Sequence, residues 1–169
     1  MIFVGGISGT VKTTAISQFV TRNAAFSHLR ASAILRACGR PIKNLSWIDL
    51  EENQRILRSV LLTEKASAST IIDGHLVIPT GGRFFKVTPH FFDGLPIKAL
   101  VIMQATPATI LARKNIMPSS EAINSVIELQ ELEKNQMFQI GSTYNFAMEV
   151  VQSEDWVLLE QLLLQYGTN

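Results

Sequence analysis

GGISGTVKTT, residues 5–14, is the stretch of this sequence that decides the fold. It follows the phosphate-binding loop pattern, in which a glycine and four arbitrary residues precede Gly-Lys-Ser/Thr. Gly6, Lys12 and Thr13 fit this pattern, but Val11 occupies the position of the glycine that precedes the lysine. The stretch therefore predicts a phosphate-binding loop with one substituted position.

The sequence on either side supplies the elements that such a loop requires. MIFV (1–4) is a short apolar run typical of a buried strand, and KTTAISQFVTRN (12–23) has the apolar spacing of an amphipathic helix. A glycine-rich turn between them directs backbone N–H groups at phosphate oxygens, and the helix adds its N-terminal dipole. The residues expected to bind the phosphates are Gly6, Ser8, Gly9, Thr10, Val11, Lys12, Thr13 and Thr14.

Val11 leaves the competence of the loop open. If the backbone at this position has a positive φ angle, a β-branched residue there costs on the order of 1–2 kcal/mol. If φ is negative, the isopropyl group would crowd the phosphates. A glycine-rich turn with an incidental Lys-Thr pair is the alternative to a phosphate site.

The rest of the sequence alternates apolar runs with helical patterns. A brief strand or turn and a short helix are expected within 27–41, and an exposed ribbon or loop within 75–89. The buried strands expected after the first are 69–74, 97–105 and 145–153. The further helices expected are 46–65, 106–114, 119–141 and 154–167. This alternation predicts a single α/β domain over 1–169, with about five mainly parallel strands and helices on both faces of the sheet.

The composition narrows the class of protein. Of the 169 residues, 47% are hydrophobic and 17% are charged, which argues against disorder. The formal net charge of +1 gives no reason to expect nucleic acid, and no run reaches the roughly 20 apolar residues of a membrane span. The single Cys38 excludes an internal disulfide, and the N-terminal residues lack the charged start of a signal peptide. We therefore expect a cytoplasmic protein with no membrane partner.

An acidic residue closes the second predicted buried strand. TIID ends at Asp73 and is followed by Gly74-His75. With Thr13, whose hydroxyl is the magnesium ligand of such loops, Asp73 is expected to hold Mg²⁺, while Lys12 contacts the β- and γ-phosphates of ATP. The alternative for Asp73 is a cap of the following turn. His75 is expected to contact the substrate or to orient Asp73.

Four segments carry a family resemblance, and in chain order they are GGISGTVKTT (5–14), ASAILRACGRP (31–41), TIIDGH (70–75) and QATPATILARK (104–114). Their order resembles that of the adenylate kinase-like nucleoside monophosphate kinases among the P-loop NTPases, a group that includes small proteins labelled AAA-family ATPases. The resemblance implies the three-layer P-loop fold with a short lid. It also implies Mg·ATP as the phosphoryl donor and a small phosphate-acceptor, expected to be a nucleotide.

The resemblance implies the remaining site residues. Arg36 matches the arginine with which this family binds the acceptor monophosphate, and Ser32 lies near the position of the family's small hydroxyl residue. Arg113 and Lys114 match the lid cations that close over the transferring phosphoryl group. Such cations matter because the loose transition state is stabilised by positioning and positive charge.

Several positions depart from the family's pattern. Val11 replaces a glycine of the loop, and Ala33 replaces an acidic residue of the acceptor segment. The arginine that follows the Asp-Gly pair in the family has no counterpart after Gly74, where Arg83 is the candidate substitute. The stretch 115–126 after the lid cations contains no further arginine.

These departures keep three functions open. The preferred one is a phosphotransferase that uses Mg·ATP, and the second is a nucleotide-binding regulatory or partner-binding protein with impaired catalysis. The third is an α/β interaction module without a nucleotide. The apolar segment WVLLEQLLL (156–164) is expected to pack in the core, and contact with a second copy of the chain or with another protein is the alternative.

Overall fold

The computed structural model describes residues 1–63 and 67–168. Within these residues the strands are β1 (Ile2–Gly5), β2 (Ser27–Arg30), β3 (Thr70–Asp73), β4 (Val77–Thr80), β5 (Arg83–Lys86), β6 (Ala99–Gln104) and β7 (Ala147–Gln152). The helices are α1 (Lys12–Arg22), α2 (Ala31–Ala37), α3 (Trp47–Thr63), α4 (Pro107–Arg113), α5 (Ser120–Tyr144) and α6 (Trp156–Gly167). A short 3₁₀ helix covers Pro89–Phe92.

Five of these strands form one parallel sheet in the order β2-β3-β1-β6-β7. The α/β class and the five-stranded sheet predicted from the sequence are confirmed. β1 lies in the centre, with Val4 level with Asp73 of β3 and Gly5 level with Ile102 of β6. The loops that leave β1, β3 and β6 therefore emerge at the same edge, which is where ligands bind in open α/β sheets.

Alternation along β1 assigns its side chains to the two faces of the sheet. Ile2 and Val4 belong to a buried cluster with residues of α1 and α6, whereas Phe3 belongs to a cluster with residues of α3 and α5. Helices thus cover both faces, as predicted. β4 and β5 form a separate antiparallel hairpin, which corresponds to the ribbon expected within 75–89.

Two of the expected helix starts are confirmed by their caps. The Ser46 hydroxyl accepts from the Asp49 N–H at 3.1 Å, and the Asp49 carboxylate accepts from the Ser46 N–H at 3.0 Å, which is a capping box with aspartate at the third position. Thr106 accepts from the Thr109 N–H at 3.2 Å at the start of α4. The expected end of the third helix at Lys65 lies outside the described residues.

The end predicted for α5 at Gly141 is wrong. The helix continues to Tyr144 and ends at Asn145, which takes a left-handed conformation with φ 56°. Gly141 serves close packing instead, because a Cβ atom at this position would lie 2.2 Å from the sulfur of Met148 on β7. Gly141 is therefore a glycine that allows close packing of a helix face, and it does not end the helix.

The last helix contributes to the core, as expected. Leu159, Leu162 and Leu163 of α6 are buried, while Val157 and Leu164 remain exposed. None of the helices in the described part of the chain has the length and apolarity needed to cross a bilayer.

Candidate active site

The loop after β1 needs its glycines. Gly6 has φ 132° and Gly9 has φ 98°, which are conformations that side chains rarely adopt. A Cβ atom on Gly6 would lie 2.3 Å from the carbonyl oxygen of Met103, and one on Gly9 would lie 3.1 Å from a side-chain carbon of Ile110. The loop is therefore held against the end of β6 and against α4.

Val11 adopts the left-handed backbone conformation, with φ 55° and ψ 24°. It is the residue that directly precedes α1. Of the two possibilities that the sequence leaves open, the one with positive φ is realised. A left-handed conformation costs an L-residue roughly 1–2 kcal/mol, so the valine retains the backbone shape of the missing glycine at an energetic cost.

Lys12 crosses the loop that precedes it. Its side chain is 6% exposed, and the ammonium donates to the carbonyl oxygen of Gly6 at 2.5 Å and contacts that of Ile7 at 3.4 Å. Burial lowers the pKa of Lys12, and the carboxylates of Asp73 and Glu133 offset part of this shift. The amino group of Lys12 thus lies inside the loop, where the charges of two carboxylates act on it.

The start of α1 offers backbone donors to an anion. The first bond between successive turns runs from the Ala15 N–H to the Val11 carbonyl at 3.0 Å. The amides of Lys12, Thr13 and Thr14 precede that bond and have no acceptor within the helix. Together with the helix dipole and the Lys12 ammonium, these donors fit the phosphate groups of a nucleotide.

Thr13, in the first turn of α1, contacts Asp73 at the end of β3. The Thr13 hydroxyl donates to the Asp73 carboxylate, and Nε2 of His28 lies 3.5 Å from the same carboxylate oxygen. Burial by itself raises the pKa of Asp73, but the contacts from His28 and Thr13 and the charge of Lys12 outweigh it. The pKa of Asp73 therefore lies below its ordinary value, and the group is ionised at neutral pH.

The Thr13–Asp73 pair fits a magnesium ion that is shared with phosphate. Among the described residues no three His, Cys, Asp or Glu side chains cluster as a metal site. Mg²⁺ in phosphoryl-transfer sites is held by one or two protein oxygens, by phosphate oxygens and by water, so it needs no such cluster. A hydroxyl and a carboxylate at the phosphate loop are the oxygen ligands that this arrangement requires.

Arg113 ties the loop to the turn after β7. Its guanidinium donates to the carbonyl oxygen of Gly9 at 2.9 Å and to the Ser153 hydroxyl at 3.1 Å, and it lies 3.5 Å from the Glu154 carboxylate. The structure therefore brings Arg113, expected to be a lid cation, onto the backbone of the phosphate loop. Lys114 follows it at the end of α4 and lines a small cavity with Ser8.

Glu133 is a site residue that sequence reasoning missed. It projects from α5 with no exposed surface, and one carboxylate oxygen accepts from the Leu76 N–H at 3.0 Å. Among the described atoms the other oxygen has no hydrogen-bond partner, and Nδ1 of His75 lies 3.6 Å from it. The helical spacing in the sequence could have pointed to Glu133. It places Gln130 and Glu133 on the same buried face of α5 as the apolar residues Met137 and Ile140.

A cavity of about 180 Å³ opens beside the loop. Thr13, Asp73 and His75 line it, and so does Ser32 of α2. Arg36, the other expected acceptor residue, is exposed and is not among the lining residues. The structure thus brings Ser32 and His75 together with the phosphate loop and leaves Arg36 outside the cavity.

Comparison of the sequence with family models and with curated proteins gives no match. The fold, in contrast, has close counterparts among solved structures. It is similar to a shikimate kinase from Acinetobacter baumannii in complex with shikimate, with a TM-score of 0.61 and 14% identity over 97% of this chain and 90% of that one. It is also similar to a gluconokinase from Sinorhizobium meliloti, with a TM-score of 0.59 and 13% identity over 99% of this chain and 90% of that one.

A sugar kinase from a Janibacter species is a further structural neighbour, with a TM-score of 0.59 and 17% identity over 98% of this chain and 92% of the other. The likeness extends over nearly the whole of each protein, so it concerns the complete arrangement of sheet and helices. These neighbours are P-loop kinases of the nucleoside monophosphate kinase-like type. The chain therefore has the fold of these kinases, which is the fold that the order of its motifs predicts.

Proposed function

We propose that this protein is a P-loop phosphotransferase that moves the γ-phosphoryl group of Mg·ATP to a small acceptor. One observation carries the proposal: Lys12 lies buried across a loop of phosphate-binding shape, next to the paired Thr13 and Asp73. A glycine-rich turn without this role would have no need to hold an ammonium group at 6% exposure. The fold shared with several small-molecule kinases supports the same reaction class.

In this proposal the donor is held by the loop residues. The amides at the start of α1 and the Lys12 ammonium bind the phosphate oxygens of ATP. Arg113, which already contacts Gly9 and the turn at 153–154, borders the nucleotide on the far side of the loop. Lys114 stands next to it as a second cation beside Ser8. Positive charge at these positions stabilises the transferring group in its loose transition state.

Mg²⁺, when bound, would neutralise charge on the β- and γ-phosphates, and Thr13 and Asp73 are the residues that would hold it. Asp73 also borders the cavity, so its ionised carboxylate can receive the proton of an acceptor hydroxyl there. His28 of β2 lies next to that carboxylate and helps to position it.

A cytoplasmic location, where ATP is supplied and the single cysteine stays reduced, belongs to the same proposal.

The acceptor is proposed to enter the cavity beside Thr13 and Asp73. The family resemblance implies a nucleotide, with its phosphate on Arg36 and with Ser32 nearby. His75, which adjoins Asp73, is proposed as a further contact. Any small molecule with a hydroxyl or phosphate at the Asp73 end of the cavity would meet the same transfer geometry. A direct assay of candidate acceptors therefore identifies the acceptor.

A second function is favoured by Val11. Its left-handed backbone stores strain in the loop itself, and a protein that binds nucleotide without transferring phosphate tolerates such a change more readily than a kinase does. Ala33 and the arginine-poor stretch at 115–126 point the same way. In this alternative, Mg·ATP binding would regulate contact with a protein partner or with a second copy of the chain.

Formation of ADP in a coupled assay tests the proposal. The acceptor panel contains nucleoside monophosphates, nucleosides, sugars, sugar acids and simple alcohols, each with Mg·ATP. We expect at least one acceptor to give turnover, and Lys12→Ala to lower it by about 10²–10³-fold, as removal of one charge-stabilising group does. Lys98→Ala is the matched control, because Lys98 is exposed next to the first residue of β6, at the opposite edge of the sheet.

Two results would contradict the proposed transfer. Turnover of the wild-type protein no higher than that of Lys12→Ala with every acceptor excludes a phosphotransferase. Tight Mg·ATP binding without turnover supports the regulatory alternative, and Val11→Gly then shows whether the valine is what prevents catalysis.

A further inference from the structure

We propose that the acceptor is an uncharged, largely apolar molecule with one hydroxyl group, of the size of a benzyl alcohol. This inference rests on the proposed phosphotransferase function and specifies the substrate class of its acceptor cavity. It differs from the nucleotide that the family resemblance implies. The walls, the charge and the size of the cavity each support it.

The walls of the cavity are apolar. Side chains from several separate parts of the chain enclose it, and they include Leu35, Ile42, Leu50, Leu57, Ile78 and Val87. The β4–β5 hairpin closes one side, because the Thr80 hydroxyl donates to the carbonyl oxygen of Leu45 in the loop before α3. A sugar or sugar acid would leave many of its hydroxyl groups without partners against such walls.

The polar groups of the cavity are few, and one of them is already engaged. Asn53 accepts from Arg40 at 2.8 Å and donates to the carbonyl oxygen of Pro41 at 2.9 Å. These bonds engage both the oxygen and the nitrogen of the Asn53 amide, so this side chain stabilises the α2–α3 connection. Ser32 and Gln54 are the neutral polar groups that remain toward the α2 and α3 side.

The charge of the cavity does not suit an anionic acceptor. In the described part of the chain no lysine or arginine lines it, and Asp73 contributes a carboxylate to its lining. His75 is the one lining side chain that can become positive, and the Glu133 carboxylate lies 3.6 Å from it. A phosphate or carboxylate bound among these walls would be desolvated with no lysine or arginine among the described lining residues to pair with it.

The volume of the cavity favours a small acceptor. An apolar cavity of about 150 Å³ in another protein binds benzene, so 180 Å³ accommodates a single ring with a short substituent. With the ring among the leucine side chains, the hydroxyl group reaches the Thr13–Asp73 end. The apolar walls and the one polar end together orient such a molecule for transfer.

The transfer step follows from this orientation. The acceptor oxygen forms a bond to the γ-phosphorus, while the bond from that phosphorus to the oxygen bridging to the β-phosphate breaks. The products are a phosphate monoester and ADP. The hydroxyl proton passes to the Asp73 carboxylate and from there to solvent.

Matched acceptors test the inference. Benzyl alcohol, 4-methylbenzyl alcohol, 4-(hydroxymethyl)benzoate, 4-(aminomethyl)benzyl alcohol and AMP are compared by ADP formation and by direct detection of the phosphorylated product. Binding of each to the protein without ATP is followed in parallel by ligand-observed NMR. We expect the neutral alcohols to have at least tenfold higher kcat/KM than the carboxylate, and to bind whether or not ATP is present.

One variant adds a positive charge to the cavity lining. Ser32→Arg places a cation at the exposed rim, and we expect it to improve kcat/KM for 4-(hydroxymethyl)benzoate relative to benzyl alcohol by about tenfold, the effect of one charge-assisted contact. Ala37→Arg, exposed at the end of the same helix, should leave the ratio unchanged. Thermal melting confirms that both variants are folded.

The outcomes separate this inference from the proposed function. Turnover with AMP or the carboxylate but not with the neutral alcohols overturns the apolar acceptor and leaves the phosphotransferase intact. A preference for the aminomethyl compound also overturns it, because the carboxylate of Asp73 would then be selecting a cation. Binding of benzyl alcohol by NMR with no turnover for any acceptor contradicts the phosphotransferase, and the assignment of a substrate fails with it.

Discussion

The two halves of the candidate site are built from opposite chemistry. On the loop side, charged groups are buried and paired, with Lys12 bonded to Gly6 and Asp73 bonded to Thr13. On the cavity side the walls are apolar, and the one arginine that the sequence assigned to the acceptor, Arg36, is exposed outside them. The two sides meet at the Asp73 carboxylate.

This difference follows from the ligands that the two sides are proposed to bind. The proposed donor, ATP, presents a charged phosphate chain, which a glycine-rich loop, a lysine and a helix start can bind. Acceptors differ from one another, and the cavity that holds them is free to change in polarity. Variants that remove a charged group of the loop side should therefore have the larger effects.

The largest effect is expected from Asp73→Asn. This change removes the proton acceptor and one magnesium ligand while preserving the size of the side chain, so we expect turnover to fall by roughly 10²–10⁴-fold. Asp93→Asn is the matched control, because Asp93 is bonded to Tyr144 and His90 away from the loop. Equal losses of activity in both variants would contradict a special role for Asp73.

The same variant predicts a pH dependence of stability. The folded-state pKa of Asp73 is lowered, so its ionised form contributes stability above the unfolded-state pKa. That contribution is lost as the pH falls through the folded-state pKa. Urea unfolding at neutral pH should show Asp73→Asn less stable by about 1–3 kcal/mol, and the difference should vanish in acid. A difference that persists unchanged in acid would show that the charge is not its source.

An intermediate effect is expected from Glu133→Gln, which removes the buried charge behind Lys12 and keeps an acceptor for the Leu76 N–H. The Glu133 carboxylate raises the pKa of Lys12, so its removal lowers that pKa further. If activity requires a charged Lys12, the alkaline limb of the pH–rate profile should then shift to lower pH. At neutral pH we expect about a tenfold loss, in the range of one charged contact.

Glu128→Gln is the control for this variant, because Glu128 is an exposed residue of the same helix. Its rate profile should match that of the wild-type protein. If Glu133→Gln loses activity at the same alkaline pH as the wild-type protein, the buried carboxylate does not raise the pKa of Lys12.

The smallest effect is expected from Val11→Gly. Release of the left-handed strain contributes roughly 1–2 kcal/mol, and the greater freedom of glycine in the unfolded chain offsets roughly 0.5–1 kcal/mol of it. The net gain of about 1 kcal/mol corresponds to a rise in Tm of about 2–4 °C. Val157→Gly, at an exposed position of α6, should lower Tm instead. A Tm lowered by Val11→Gly would mean that the valine side chain stabilises the loop by packing.

The loop side of the site could be predicted from the sequence because its parts are local or stand at strand ends. Lys12 and Thr13 belong to a contiguous motif, and Asp73 closes an apolar run. His28 could not be found in this way, because its contact with Asp73 depends on β2 lying beside β3. Glu133 required knowing which face of α5 is buried.

The cavity itself could not be predicted from the sequence, for a related physical reason. Arg36 was assigned by its place in a motif, but its side chain is exposed on α2, outside the cavity. The apolar character of the cavity depends on residues that are far apart in the sequence, from Phe3 to Phe91, so no local pattern reveals it. Gly141 shows the same limit, since only its contact with Met148 distinguishes packing from a helix stop.

The measurement that tests the account most directly is a calorimetric titration of the protein with Mg·ATP. The account predicts saturable binding, and it predicts that Lys12→Ala weakens the affinity by about 10–150-fold, the equivalent of a charged hydrogen bond of about 1.5–3 kcal/mol. Lys98→Ala should bind as the wild-type protein does. No binding at millimolar Mg·ATP, or equal affinity in Lys12→Ala, would contradict the claim that residues 6–13 form a phosphate site.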